Sequence, residues 1–97
     1  MKPIEKIQRR IRKFMPILRD KYSVTELGVF GSYARGDQKS DSDLDILVSF
    51  EEAPSLFTFI ELENFLSDRL DVDVDLVMRK ALKHNLQKPI LNEVIPV

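Results

Sequence analysis

Apolar positions near the start of the chain recur with helical spacing. Ile4, Ile7, Ile11, Phe14 and Leu18 predict an amphipathic helix from Pro3 to about Tyr22. Pro3 suits the first turn. Pro16 is expected to kink or split the helix, because it removes a backbone donor. Lys6, Arg9, Arg10 and Lys13 fall on the polar side. That side reads first as a solvated face and second as a surface for nucleic acid or an acidic partner. Val24 to Phe30 then reads as a strand, ended by Gly31-Ser32. Asp37 to Ser42 is a polar loop. Leu44 to Phe50 alternates and then turns apolar, as a strand with at least one buried face does. Pro54-Ser55 opens a second helix, with Leu56, Phe59, Ile60, Leu62, Phe65, Leu66 and Leu70 as its apolar stripe. Val72, Val74, Leu76 and Val77 predict a third strand. Ala81 to Val94 reads as helical, with a break near Pro89. The order α-β-β-α-β-α predicts an α/β (α+β) fold, a small sheet with helices packed on it.

Length and composition narrow the class. The 97 residues suffice for one small domain, and residues 1–97 are expected to form it alone. Hydrophobic residues make up 43% and charged residues 32%, which excludes a disordered chain. The absence of cysteine excludes disulfide staples and cysteine-based zinc sites. No apolar run approaches the roughly 20 residues of a membrane span, and no apolar signal core follows Met1, so a cytoplasmic location is expected.

Charge changes the picture more. The net charge is −1, yet residues 1–22 hold eight Lys/Arg against Glu5 and Asp20, and residues 37–75 hold twelve Asp/Glu against Lys39 and Arg69. Beyond Asp75 the chain is basic again, with Arg79, Lys80, Lys83 and Lys88 against Glu93. An acidic centre between basic flanks is poorly suited to gripping a polyanion directly. It suits a site where cations mediate contact with phosphates.

The candidate chemistry lies in residues 31–45. A Gly31-Ser32 pair follows the first strand, and ten residues later Asp43-Leu44-Asp45 opens the next. Gly31 permits a tight turn and close approach to a ligand. If a short helix begins there, its first-turn amides suit a triphosphate, and the Ser32 hydroxyl adds a donor. Residues two apart on a strand share a face, with Cα atoms about 6.5–7 Å apart. Two carboxylates so placed can bridge hard cations such as Mg²⁺, which stand about 3.5–4 Å apart in two-metal sites. Leu44 is expected to point the other way, into the core. A third carboxylate comes from Asp71, Asp73 or Asp75. Asp75 lies deepest in the apolar run, where an unpaired carboxylate would be costly and a metal or cationic partner is expected. Asp73 is the second choice and Asp71 the weakest.

Each part alone is ordinary. Gly-Ser is common loop material, Asp-x-Asp on a polar strand is commonly solvated, and alternating Asp residues can protect an edge strand. Their combination is much rarer. The stretch resembles the minimal nucleotidyltransferases of the DNA-polymerase-β-like superfamily, whose signature is Gly-Ser, ten residues, then Asp-x-Asp. Ser32-Tyr33-Ala34-Arg35-Gly36 and Ser42-Asp43 fit its common form, and Val74-Asp75-Leu76-Val77 resembles the strand that supplies a third catalytic Asp.

The resemblance implies a nucleotidyltransferase fold with a small mixed sheet. It implies Asp43 and Asp45 as ligands of two Mg²⁺ ions, with Asp75 completing the site and helping to activate the acceptor hydroxyl. Gly31 and Ser32 would contact the β- and γ-phosphates of ATP. Arg35 and Lys39 are further nucleotide-binding candidates, although Arg35 can instead pair with Asp37 or cap the short helix. Tyr33 reads as packing, and His84 as a surface or capping residue.

Larger relatives carry extra domains that hold the acceptor. A chain of this size is expected to need a partner, a homo-oligomeric self-complex or a small acceptor. The resemblance implies the antitoxin of a HEPN toxin–antitoxin pair, moving AMP from ATP to a tyrosine of the HEPN toxin. Two readings compete with it. One is an inactive antitoxin that masks its toxin by binding. The other is a nucleic-acid-binding module resting on the basic first helix, with salt-sensitive affinity.

Overall fold

The computed structural model describes residues 2–97. Helix α1 spans Pro3–Tyr22 and strand β1 spans Val24–Phe30. A single-turn helix, α2, covers Ser32–Arg35, and β2 runs over Leu44–Phe50. Helix α3 spans Leu56–Leu70 and β3 spans Val74–Met78. A 3-10 turn at Arg79–Ala81 leads to α4, His84–Glu93, and to a two-residue strand β4, Ile95–Pro96. No helix among the described residues is long and apolar enough to cross a membrane.

The sheet is mixed, in the order β3-β2-β1-β4. β1 pairs antiparallel with β2 and with β4, whereas β2 and β3 are parallel. Parallel neighbours need a crossover connection, which α3 supplies.

Alternation decides which face is covered. Leu44, Ile46 and Val48 of β2, with Val74 and Leu76 of β3, are buried in one cluster with Ile11 and Leu18 of α1 and Leu62 and Leu66 of α3. Phe65 of α3 joins the two long helices. It meets the Phe14 ring edge-on at 5.9 Å and Tyr22 at 6.0 Å. Residues one step out of phase, Asp45 and Asp75, therefore fall on the opposite face of the sheet.

Local signals account for the helix limits. Ser55 caps α3 by accepting from Thr58 N–H at 3.2 Å, the cap expected of a Ser before an apolar helix. α1 ends on Ser23 in the left-handed region at φ 59°. The expected split at Pro16 does not occur, and α1 continues through it as one helix. Pro16 and Arg12, whose carbonyl it leaves without an intrahelical donor, are both exposed, where a missing helix bond is tolerated best. Pro89 lies exposed within α4 in the same way and does not break it.

Candidate active site

Asp45 sits at the centre of the candidate site. Its register partner on β1 is Phe30, the residue before Gly31, and its partner on β3 is Asp75. Two carboxylates thus face each other across parallel neighbours, on strands about 4.8 Å apart. Asp43 lies one residue before β2 and is exposed. Leu44 is fully buried on the other face, as expected. Its amide donates to the Asp73 carbonyl at 2.8 Å, which ties the entry of β2 to that of β3.

Depth is distributed differently from the expectation that Asp75 lies deepest. Asp75 is exposed, and Asp45 is the half-buried member. Val74 and Leu76 are buried, but strand alternation turns them away from Asp75, so apolar neighbours in sequence do not bury it. Asp71 and Asp73 are also exposed. Asp71 ends α3 in the left-handed region, and Asp73 contributes its carbonyl to the sheet.

The electrostatics follow from this arrangement. Burial first, then the charges of Asp75 and Asp43 and a hydrogen bond to Asp75, hold the Asp45 carboxyl above its ordinary range; Arg35 opposes the shift. Like charges at one site disfavour ionisation unless a cation joins them. Among the described residues, no three acidic or histidine side chains already converge as a metal cage. The donor set still fits a hard divalent cation: carboxylate oxygens, negative charge in excess, and Asp45 and Asp75 within hydrogen-bonding reach of each other. Asp43 would have to turn toward that pair.

Gly31 forms the wall beside Asp45. Its backbone stands at φ 73°, ψ −149°, near a region that only glycine occupies readily. A Cβ there would run into the Asp45 carboxylate. Ser32 is the first residue of α2, whose C-cap, Gly36, is left-handed at φ 79°. First-turn amides have no partner within a helix, so α2 opens with unpaired donors from Ser32 onward, whereas the Gly31 amide is taken by Glu93. Tyr33 and Ala34 pack against the core, in agreement with a packing role for Tyr33.

Arg35 adopts the alternative considered for it. Its guanidinium donates to Asp37 at 3.2 Å and to Glu93 at 3.3 Å, and these bonds, Asp37 first, raise its pKa further. Lys39 lies in the polar loop. Its amide donates to Ser42 Oγ at 2.8 Å and its carbonyl accepts from Ser42 N–H at 3.1 Å, while its side chain forms no ion pair among the described residues. His84 is exposed at the start of α4.

Glu93 was not legible as a site residue. Its carboxylate accepts from the Gly31 amide at 2.8 Å and from Arg35. It lies two positions beyond the last β1–β4 register pair, Val29 and Ile95, and there a side-chain oxygen takes the place of a backbone carbonyl. The only sequence signal was a lone acid in a basic tail.

Comparison with known proteins places the chain in a family. The nucleotidyltransferase domain family matches residues 11–97. The protein adenylyltransferase MntA of Thermococcus cleftensis is 50% identical over 100% of this chain and 98% of its own length. A solved minimal nucleotidyltransferase superposes with a TM-score of 0.79 at 37% identity, over 95% of this chain and 94% of that one. A tri-AMPylated Shewanella oneidensis HEPN toxin in complex with its MNT antitoxin gives a match with a TM-score of 0.68 at 26% identity, over 93% of this chain and 70% of that one. The chain belongs to the nucleotidyltransferase domain family, with protein adenylyltransferases among its relatives.

Proposed function

We propose that this protein transfers AMP from ATP to a tyrosine hydroxyl of a partner HEPN toxin, and that Asp43, Asp45 and Asp75 hold two Mg²⁺ ions for the reaction. The in-register pair of Asp45 and Asp75, beside Gly31-Ser32, carries the reading. The relatives support the rest: one is a protein adenylyltransferase, and another is an antitoxin bound to an AMPylated toxin.

The residues divide the work by position. Gly31 and Ser32 receive the β- and γ-phosphates, with Ser32 donating its hydroxyl. Arg35, close enough to lower the Asp45 pKa, adds positive charge on the nucleotide side, and Lys39 is a second candidate for that task. Asp75 is exposed at an edge strand, where a partner's tyrosine can reach it. The tyrosine oxygen forms a bond to the α-phosphorus, the bond from that phosphorus to the α–β bridging oxygen breaks, and pyrophosphate leaves. The hydroxyl proton passes to the Asp75 carboxylate. Divalent cations, when bound, neutralise charge on the phosphates and lower the barrier as Lewis acids. Orientation of the hydroxyl in line with the leaving oxygen is the other main contribution.

The test uses ATP labelled at the α-phosphate and the partner toxin. Label is expected on the partner with Mg²⁺, and is expected to vanish with EDTA, Asp43→Asn or Asp45→Asn. Full transfer by either variant would contradict the assignment of the carboxylates. A tight inhibitory complex with no label in the wild type would favour masking by binding alone.

A further inference from the structure

β3 is an edge strand, hydrogen-bonded to β2 on one side only. The Asp73 carbonyl bonds Leu44, so Asp73 and Asp75 direct their backbone groups toward β2. Val74 and Leu76, out of phase, direct theirs outward. Free outward amides commonly take water or a foreign strand. Here both are taken by side chains of α3. Val74 N–H donates to Ser67 Oγ at 3.0 Å, and Leu76 N–H donates to Glu63 Oε2 at 2.9 Å.

The two repeats match. Ser67 and Glu63 are four residues apart on a helix, a rise of about 6 Å. Val74 and Leu76 are two apart on a strand, a rise of about 6.6 Å. The two bonds bracket Asp75. The helix that makes them is itself fixed, because Leu62 and Leu66 are fully buried and Phe65 packs on Phe14.

We propose that Glu63 and Ser67 are positioning residues for Asp75. They hold β3 at the height that sets Asp75 opposite Asp45, and so set the affinity of the carboxylate pair for divalent cation. This rests on the reading of Asp75 as a metal-holding residue. Groups that orient metal ligands commonly change metal affinity about 10–100-fold when removed.

The test compares Glu63→Leu, Glu63→Gln and Ser67→Ala with the wild type. Three quantities are read: the Mg²⁺ concentration giving half of the thermal shift of the free protein, the KM for ATP, and amide exchange at Leu76. Glu63→Leu is expected to raise the Mg²⁺ midpoint about tenfold, to speed exchange at Leu76, and to leave the KM for ATP unchanged when it is measured at saturating Mg²⁺. Glu63→Gln keeps an acceptor oxygen and is expected to restore the midpoint. A purely structural stitch would lower the melting temperature and speed exchange without moving the Mg²⁺ midpoint, and that result overturns the proposal. If Glu63→Leu does not fold, Ser67→Ala decides: a raised midpoint supports the proposal and an unmoved one overturns it. Asp75→Asn with a wild-type Mg²⁺ midpoint would instead overturn the metal assignment itself.

Discussion

Asp45 is half-buried and Asp75 exposed, yet the two are register partners on parallel strands. One carboxylate is therefore anchored within the protein and the other is open to a partner. That asymmetry suits a site whose second substrate is a macromolecule.

The Asp45 carboxyl has a direct consequence for stability. Its folded pKa is raised by burial and then by Asp75 and Asp43, so between the unfolded and folded values the folded state binds more protons. Stability then falls as pH rises through that window and stays reduced above it. Asp45→Asn is expected to raise the melting temperature of the metal-free protein at pH 7. The gain should shrink below about pH 4, where the carboxyl is protonated in both states. Thermal melts against pH check this, and a gain independent of pH would contradict it.

Gly31 should be the least replaceable residue of the cradle. Gly31→Ala combines an unfavourable positive φ, costing about 1–3 kcal/mol, with a Cβ driven into Asp45. Ser32→Ala removes one neutral hydroxyl, worth about 0.5–1.5 kcal/mol. Transfer rates and nucleotide titrations are expected to rank wild type first, Ser32→Ala second and Gly31→Ala last. The reverse order of the two variants would contradict this geometry.

Glu93 ties the end of α4 to the cradle through Gly31 and Arg35. Glu93→Ala leaves a partly buried amide without its acceptor, at a cost of about 1–3 kcal/mol. Glu93→Gln retains an acceptor for Gly31 and is expected to lose less. Chemical denaturation of the two variants checks the order, and equal losses would show that the Gly31 bond contributes little.

Most of this architecture could be read along the chain because it rests on local periodicity. The limits of α1, β1 and β2 follow from apolar spacing and from Gly31, and Ser55 marks the start of α3 through its cap. β4 has two residues, one of them Pro96, too few for any period to show. The last helix begins at His84 rather than Ala81 because a 3-10 turn precedes it. Asp45 and Asp75 were legible as candidates by spacing, but their relative depth depends on which face the helices cover. Glu93 reaches Gly31 across 62 positions, and Glu63 and Ser67 face β3 only once α3 has packed. Such contacts leave no local pattern.

The central claim is transfer of AMP to a partner protein. The most direct measurement is the intact mass of this protein and of the HEPN toxin after incubation with ATP and Mg²⁺. The account predicts AMP-sized increments on the toxin, mapped to tyrosine and absent with Asp43→Asn. An unmodified toxin, with the AMP carried instead by an RNA 3′ end, would contradict it.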